Sequence, residues 1–330
     1  MTDLTTHYLG LKLKSPIIAG SSGLTKSIDN LVQLEQHGAG AVVLKSLFEE
    51  QILHESAQQI SNSEASTGYG YAEAYDLIGN YAKEHQVSEY LDLIKAAKQK
   101  LTIPVIASIN CVSATEWTSF AKRIEQAGAD ALELNVFILP VNTEMKGDDY
   151  KNIYLNIIEK VKKSTNLPIA LKIGSYFTDM ANWIQRLSWT GLEGVVMFNR
   201  FYTPDIDIEK MKLIGGGRFS NKDEFMNSMR WIGILSDEVK CDLCASSGIH
   251  SGETVIKQLL SGAKAVQMTS VLYQNGFEEI AKANADITAW MEKNEFTRLD
   301  QFVGKLSMKQ AENPAAYNRV QFMKHFAGIE

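Results

Sequence analysis

Lysine and asparagine side chains follow short apolar runs at four places in the sequence. They are Lys45, Asn135, Lys172 and Asn199. Ammonium and amide groups orient anionic or carbonyl-bearing ligands and stabilise negative charge that develops during a reaction. A single residue of these types often does no more than form a local turn. We therefore expect chemistry from the four only if the fold brings the ends of the runs together.

Two turns late in the chain are rich in glycine and hydroxyl groups. The first contains Ser247 and Gly248 and leads through Ser251 into a helical pattern, and the second contains Thr269 and Ser270. Glycine lets an anion approach the backbone closely, and a helix N-terminus favours negative charge. The two turns together predict a phosphate site.

Other motifs are weaker. Cys241 and Cys244 form a CxxC spacing, but on a strand two residues three apart face opposite sides. The six histidines show no metal-ligand spacing, so no metal site is predicted. Residues 215–218 read GGGR without the Lys-Ser/Thr of a P-loop, which favours a flexible turn. The tyrosine-rich stretch 68–75 is either a lid over a pocket or a packed surface loop.

The elements that must position these residues are eight short apolar runs separated by helical patterns. Four runs follow a glycine that suits a helix C-terminus, and three others are entered through a proline. Ser27, Ser113 and Ser251 are expected N-caps of the helices. The alternation predicts a (β/α)8 (TIM) barrel, and an open doubly wound sheet is the alternative, although no GxGxxG loop is present. The runs span 15–22, 38–45, 103–110, 128–135, 167–174, 191–199, 240–248 and 262–269.

In such a barrel the chemistry lies at the carboxyl ends of the strands, and the loops after strands 7 and 8 usually bind phosphate. Because side chains alternate along a strand, residues two apart share a face. Even strands are thus expected to form a polar top layer above a second layer, and odd strands to add further polar groups. The alternative role for Lys45 is structural, as the ion-pair partner of Glu133. The top layer is Lys45, Asn135, Asn199 and Thr269; the second is Val43, Glu133, Met197 and Gln267; the odd strands add Ser21, Asn110, Lys172 and Ser246.

The bulk composition limits the other possibilities. The chain has 330 residues and a net charge of −6, which provides no electrostatic footprint for nucleic acid. No apolar run has the length of a membrane span, and the first ten residues do not resemble a signal peptide. Three cysteines favour a reducing cytoplasm. We expect one domain over residues 1–330, with an insertion at about 46–100 and a tail at about 295–330.

Taken in order, these motifs resemble the soluble class of the dihydroorotate dehydrogenase family, FMN-dependent flavoproteins, over nearly the whole chain. The resemblance implies an N-terminal hairpin, a role in pyrimidine biosynthesis, and hydride transfer between a CH–CH substrate and flavin N5. A small-molecule substrate and a homodimer are the expected partners. The matching stretches are LGLKLKSPIIAG (9–20), KS (45–46), ELN (133–135), LK (171–172), Asn199, SGIHSGE (247–253) and GAKAVQMTS (262–270).

The resemblance also implies roles for individual residues. Lys45 and Lys172 are the implied catalytic residues, and Lys172 would favour the anionic reduced flavin. Substrate binding is expected from Lys45, Asn135 and Asn199, and we add Arg200 as a candidate carboxylate partner. The implied FMN ligands are Ala19, Gly20, Ser21, Lys45, Ser46, Asn135, Lys172, Ser247, Gly248, Thr269 and Ser270.

The loop after Asn135 departs from the family's pattern. The family carries its proton-abstracting Cys or Ser where this sequence has Ile138, and a substrate-binding Asn where it has Pro140. A positioned base contributes roughly 10²–10⁴-fold to the rate, so the departure argues against dihydroorotate as the substrate. Cys111 or Tyr202 are candidate replacements for the base, against the simpler expectation that Cys111 is core and Tyr202 packs in a loop.

Two other functions remain open from the sequence. One is a phosphate-binding lyase or aldolase that uses Lys45 or Lys172 as a Schiff base. The other is a protein that binds flavin without turnover.

Overall fold

The computed structural model describes residues 2–49, 72–111, 114–201 and 203–318, and only the backbone of 72–83 and 114–115. The strands among these residues are short. In chain order they are β1 (Thr6–Tyr8), β2 (Leu11–Leu13), β3 (Ile17–Ala19), β4 (Ala41–Val43), β5 (Leu47–Phe48), β6 (Val105–Asn110), β7 (Ala131–Asn135), β8 (Ile169–Ile173), β9 (Gly194–Met197), β10 (Pro204–Asp207), β11 (Lys212–Gly215), β12 (Asp242–Ser246) and β13 (Ala265–Met268).

Eight parallel strands form the centre of the fold. The order β4-β3-β13-β12-β9-β8-β7-β6 is closed by pairing of β4 with β6, at Val42↔Val105 and Val43↔Ile106. Each of the eight predicted runs contains one of these strands. The predicted (β/α)8 barrel is confirmed, and the open sheet is excluded because β4 has a strand on each side.

Helices cover the outside of the barrel. Amphipathic patterns place their apolar faces against the outward-facing strand residues, so the main core lies between the helices and the barrel. The described helices are α1 (Ile28–Gln36), α2 (Ala72–Lys100), α3 (Ala114–Ala127), α4 (Gly147–Lys162), α5 (Met180–Ser188), α6 (Phe225–Leu235), α7 (Gly252–Ser261), α8 (Ser270–Asn275), α9 (Glu278–Lys293) and α10 (Ala315–Asn318), with 3₁₀ turns at Gly23–Thr25, Lys222–Glu224 and Leu299–Gln301.

The signals that predicted helix ends are confirmed where the structure describes them. The four glycines that precede the even strands all have left-handed φ angles, between 81° at Gly191 and 114° at Gly262. The side chains of Ser27 and Ser251 accept hydrogen bonds from backbone N–H groups of the helices that follow them. Ser113 lies outside the described residues. These caps fix where each helix ends and the next strand begins.

The N-terminal hairpin closes one end of the barrel. β1 and β2 pair antiparallel, and Tyr8, Leu9 and Leu13 are buried among the small and branched residues of the barrel interior. The Leu9 N–H donates to Asp242 Oδ2 at 2.9 Å. Because apolar side chains fill the amino-terminal end, only the carboxyl end is left to receive a ligand.

Two segments extend the barrel. The predicted insertion contains β5, which pairs with the end of β6, and α2; residues 50–71 lie outside the described chain. The described part of the tail packs on α6 and α7, where Met308 N–H donates to Gly233 O at 2.7 Å. The extent of one domain over 1–330 stays a prediction. In the described ranges no helix is long and apolar enough to span a bilayer.

A second hairpin, β10–β11, follows β9 and projects from the carboxyl end. Its strands pair antiparallel from Pro204↔Gly215 to Asp207↔Lys212. Large apolar side chains on it are exposed, with 78% exposure at Ile208, 87% at Met211 and 77% at Leu213.

Candidate active site at the carboxyl ends of the barrel strands

A buried charge pair lies beneath the open end of the barrel. Lys172 Nζ donates to Gln267 Oε1 at 2.7 Å, and Gln267 Nε2 donates to Glu133 Oε2 at 2.5 Å. Lys172 Nζ is also 4.0 Å from Glu133 Oε1, and both side chains are buried. The lysine beside Glu133 is thus Lys172 and not Lys45, because Lys172 lies one interior position above Ala170, the strand partner of Glu133.

The predicted second layer is correct for Val43, Glu133 and Gln267 but wrong for Met197. Val196 is the residue of β9 that packs in the barrel interior, and Met197 packs in the outer core. Counting back by twos from Asn199 fails because β9 ends at Met197, and beyond a strand end the loop sets side-chain direction.

A chain of amide and hydroxyl groups crosses the mouth of the barrel. Asn199 Nδ2 donates to Asn135 Oδ1 at 2.6 Å, and Asn135 Nδ2 donates to Ser46 Oγ at 3.3 Å. Ser46 Oγ is hydrogen-bonded to Ser108 Oγ at 2.7 Å and to Ser21 Oγ at 3.1 Å. Four of these five residues were predicted to be functional, and the structure brings them together.

Ser108 is the member that the sequence did not reveal, together with Tyr90 behind it. The Ser108 N–H donates to the Tyr90 hydroxyl at 2.8 Å, and that hydroxyl donates to Ser108 O at 3.0 Å. Burial raises the pKa of Tyr90 well above its usual range, so its hydroxyl stays protonated. Lys45 is half-buried and lines a neighbouring cavity of about 610 Å³ with Tyr90, whereas Ser46 accepts a hydrogen bond from Asn135.

A cavity of about 230 Å³ lies at the ends of β12 and β13, where the phosphate site was predicted. Lys172, Arg200 and Arg218 line it; Lys172 lies beside Glu133, and Arg200 forms an ion pair with Glu224. Arg218 belongs to residues 215–218, for which the sequence predicts a flexible turn. After β11 the chain runs back toward the barrel mouth, which places Arg218 at this cavity. The remaining lining residues are Ser21, Asn199, Ser220, Ser246, Ser247, Gly248, Ile249, Gln267, Thr269 and Ser270.

The turns of this cavity require glycine. Ser247 and Gly248 are consecutive left-handed residues, with φ of 74° and 73°, and Ser247 Oγ donates to Phe198 O at 3.1 Å. A Cβ at Gly248 would overlap the backbone nitrogen of Phe225. Cations, hydroxyl groups and a backbone open to close approach fit the phosphate end of a nucleotide cofactor.

Two residues missed by the sequence analysis hold these turns in place. Ser220 N–H donates to Ser270 Oγ at 3.0 Å, and Ser220 Oγ is hydrogen-bonded to His250 Nε2 at 2.9 Å. Burial is the main cause of a lowered pKa at His250, so its ring is neutral near pH 7.

Three other residues that were predicted to bind the cofactor or the substrate have side chains that are small or already paired. The side chain of Ala19 packs in the outer core, which leaves only its backbone to border a ligand. A Cβ at Gly20 would overlap Thr269 Oγ1, so the backbone passes closely there. Arg200 Nε is 3.1 Å from Glu224 Oε2, and its role as a carboxylate partner stays a prediction.

Ile138 packs against the outer core. With Tyr154 and Tyr176 it lines a cavity of about 150 Å³. Pro140 is exposed. Cys111 is buried, and Tyr202 lies outside the described residues. A replacement base at either position stays a prediction.

The two cysteines of the CxxC spacing do not lie together. Cys244 packs inside the barrel whereas Cys241 packs against the outer core, so the pair faces opposite sides as expected. Among the residues that the structure describes, no group of three His, Cys, Asp or Glu side chains is arranged to hold a metal.

Comparison with known proteins identifies the family. A family model described as dihydroorotate dehydrogenase matches residues 3–291. The chain belongs to this family. It is 25% identical over 314 residues to the dihydroorotate dehydrogenase B (NAD(+)), catalytic subunit, of Methanocaldococcus jannaschii, which covers 91% of this chain and 97% of that protein. The proteins with the same name from Thermoplasma volcanium and Caldicellulosiruptor bescii are 22% and 23% identical and cover 92% and 93% of this chain.

The resemblance that the motifs predicted is therefore confirmed. As a member of the dihydroorotate dehydrogenase family, the chain is a flavin-dependent oxidoreductase of the class that acts on CH–CH donors.

Proposed function

We propose that the protein binds FMN across the mouth of the barrel and oxidises or reduces a substrate other than dihydroorotate. The observation that carries this is the cavity in which three cations and several hydroxyl groups meet at the loops after β12 and β13. Bound FMN would supply hydride transfer at its N5 atom.

The residues that would hold FMN fall into two groups. Ser247, Gly248, Thr269 and Ser270 would bind the phosphate through hydroxyl and backbone N–H groups, with Arg218 as an added cation. Ala19, Gly20, Ser21, Lys45, Ser46, Asn135 and Lys172 would border the ring.

Lys172 would stabilise negative charge on the ring. Its ammonium group is buried and already oriented by Gln267 and Glu133. Glu133 Oε1 has no hydrogen-bond partner in the described structure, so the Glu133 carboxylate depends on the nearby lysine for compensation. A fixed cation of this kind acts without reorganisation when charge develops.

Asn135 and Asn199 would orient the substrate through their amides, which are hydrogen-bonded to each other at 2.6 Å. The loop that follows Asn135 supplies no proton acceptor, because residues 136–141 all carry apolar side chains. The substrate is therefore one whose reaction does not need a base at that place.

The absorption spectrum of the purified protein tests this function. We expect the bands of oxidised flavin, and we expect FMN in the supernatant after heat denaturation. A colourless protein that takes up no added FMN would refute the proposal. Bound FMN that no candidate substrate reduces would instead favour a flavin-binding protein without turnover.

Dihydroorotate oxidation by Ile138→Cys tests the substrate side. We expect no gain over the unchanged protein, because this side chain packs against the outer core. A gain approaching the roughly 10²–10⁴-fold of a positioned base would show that dihydroorotate is the substrate and that only the base is missing.

A lyase that uses Lys172 as its Schiff base is not favoured, and the form of this alternative that uses Lys45 stays a prediction. Schiff-base formation needs a neutral amine that faces the substrate, whereas Lys172 Nζ donates to Gln267 and lies by Glu133.

Assembly and location are the remaining parts of the proposal. The relatives are named catalytic subunits, and the exposed apolar hairpin β10–β11 fits association with a further chain. We expect light scattering to report a mass above that of one chain, with a homodimer as the first candidate. A cytoplasmic location stays a prediction from the cysteine count.

A further inference from the structure

Three loops at the barrel mouth each carry an aromatic ring, and the rings form one cluster. Phe137 follows β7, Tyr176 follows β8 and Phe201 follows β9. The rings of Phe137 and Phe201 stack with centroids 4.0 Å apart and an interplanar angle of 28°. Tyr176 meets Phe201 edge-on at 4.7 Å. We call these three residues the aromatic cluster.

The aromatic cluster borders the amide pair. Phe137 is two residues beyond Asn135, and Phe201 is two residues beyond Asn199, so the stacked rings extend the two loops that the amide hydrogen bond joins. Gly174 provides the seat, because a Cβ there would overlap the Phe201 ring. The Phe201 ring thus packs on the backbone at Gly174, whereas Phe137 and Tyr176 are exposed.

The cluster is exposed although its rings are apolar. Phe137 is 43% exposed and Tyr176 is 52% exposed. Burial of a large aromatic side chain is favourable, so exposed rings beside a candidate active site indicate a surface that a ligand covers.

A cavity of about 250 Å³ connects the cluster to the cofactor site. Tyr176 and Phe201 contribute to its wall. It shares Asn199, Arg200, Ser246 and Ser247 with the cavity that would hold phosphate. A ligand in this cavity would therefore lie next to the proposed flavin.

The charges in this cavity compensate each other. Arg200 and Glu224 are the charged residues that line it, and they form an ion pair at 3.1 Å. An anionic ligand would have to compete with Glu224 for Arg200, which costs binding free energy. The cavity therefore favours an uncharged ligand.

We propose that the aromatic cluster is a substrate subsite for a flat, uncharged, largely apolar ring, whose polar oxygen meets the amide of Asn199, the amide that lines this cavity. This deepens the proposed function and rests on it, since the subsite is placed beside the flavin. It assigns a role in specificity to Phe137, Tyr176 and Phe201.

Calorimetric titration of the FMN-loaded protein tests the subsite. The probes are coumarin, which is flat and uncharged and carries a carbonyl group, and orotate, which is flat and anionic. We expect coumarin to bind more tightly than orotate. Phe137→Ala and Tyr176→Ala should each weaken coumarin binding about tenfold, the scale of one lost aromatic stack.

The controls separate a ligand contact from a folding effect. Phe137→Tyr and Tyr176→Phe keep the rings and should keep the affinity for coumarin. Trp189→Ala removes an aromatic side chain that is 59% exposed, follows α5 and lies outside the cluster, so it should change nothing. Flavin content, measured by absorption, should be the same in all five proteins.

Several outcomes would overturn the subsite: no coumarin binding, tighter binding of orotate, or unchanged affinity in both alanine variants. The heat of coumarin binding needs no flavin as its signal, so a protein that takes up no FMN is titrated as purified, and the two proposals fail separately. A protein without FMN refutes the proposed cofactor, and the dependence of coumarin binding on the rings still decides the subsite.

Discussion

The two sides of the barrel mouth differ in what their chemistry depends on. In the loops after β12 and β13, ligand binding depends on the backbone, which is left-handed at Ser247 and Gly248 and is surrounded by cationic side chains. The loops after β7, β8 and β9 depend on side chains that the backbone does not prescribe, such as Phe137 and Tyr176. The first side matches the family's pattern and the second departs from it at Ile138.

This difference has a physical reason. A Cβ at Gly248 would meet the backbone of another element, so the turn cannot change without moving that element. An exposed ring such as Phe137 meets other side chains and solvent, so its replacement leaves the strands in place. One barrel can therefore keep a cofactor while its substrate changes.

The largest effect is expected at the cofactor side, from Gly248→Ala. Overlap with Phe225 N should displace the turn and weaken FMN binding at least about 100-fold, or about 2.7 kcal/mol, measured by flavin fluorescence titration.

Gly10→Ala is the matched control for that variant. Gly10 has a φ of 74°, against 73° at Gly248, but a Cβ there meets no atom within 4 Å. Both variants carry the strain of a left-handed alanine, of order 1–2 kcal/mol, and only Gly248→Ala should lose FMN. Equal losses would show that general destabilisation, not the turn, weakens binding.

The charge pair beneath both sides is expected to give an effect of similar size, on stability and not on FMN binding. Lys172→Met leaves Glu133 buried without its cation, which should destabilise the fold by roughly 3 kcal/mol in urea unfolding. Adding Glu133→Gln should recover most of the loss. If the double variant is as unstable as Lys172→Met, the loss comes from packing and not from the buried charge.

Arg218→Ala should separate the two sides. One exposed cation lost from the phosphate cavity is expected to weaken FMN binding about tenfold and to leave coumarin binding unchanged. Arg230→Ala, an exposed arginine on α6 outside that cavity, is the control. A parallel loss of coumarin binding would contradict the division of the mouth into two independent sides.

The smallest effect is expected from pH. The pKa of His250 is lowered in the folded state, so between that value and the ordinary 6.5 the unfolded chain binds more protons. Stability should therefore be complete above pH 6.5 and fall slightly as pH decreases through the folded-state pKa. His250→Gln should reduce the fall in Tm between pH 7 and pH 5. If the fall in Tm is unchanged in this variant, titratable groups other than His250 cause it.

The sequence determined the fold and much of the cofactor side. The spacing of apolar residues predicts the strand positions. Local turn chemistry predicts the left-handed glycines and the caps at Ser27 and Ser251, and neither signal needs a distant contact. The turn containing Gly248 was visible for the same reason.

Only the tertiary structure decided which polar groups meet and which way the loop side chains point. Ser220 is hydrogen-bonded to Ser270, 50 residues away in the sequence, and Ser46 is hydrogen-bonded to Ser108, 62 residues away. Side-chain direction after β9 is equally invisible to strand alternation, because β9 ends at Met197 and counting back from Asn199 places the wrong residue in the interior. Beyond a strand end, contacts between distant segments set side-chain direction, and these exist only once the barrel has closed.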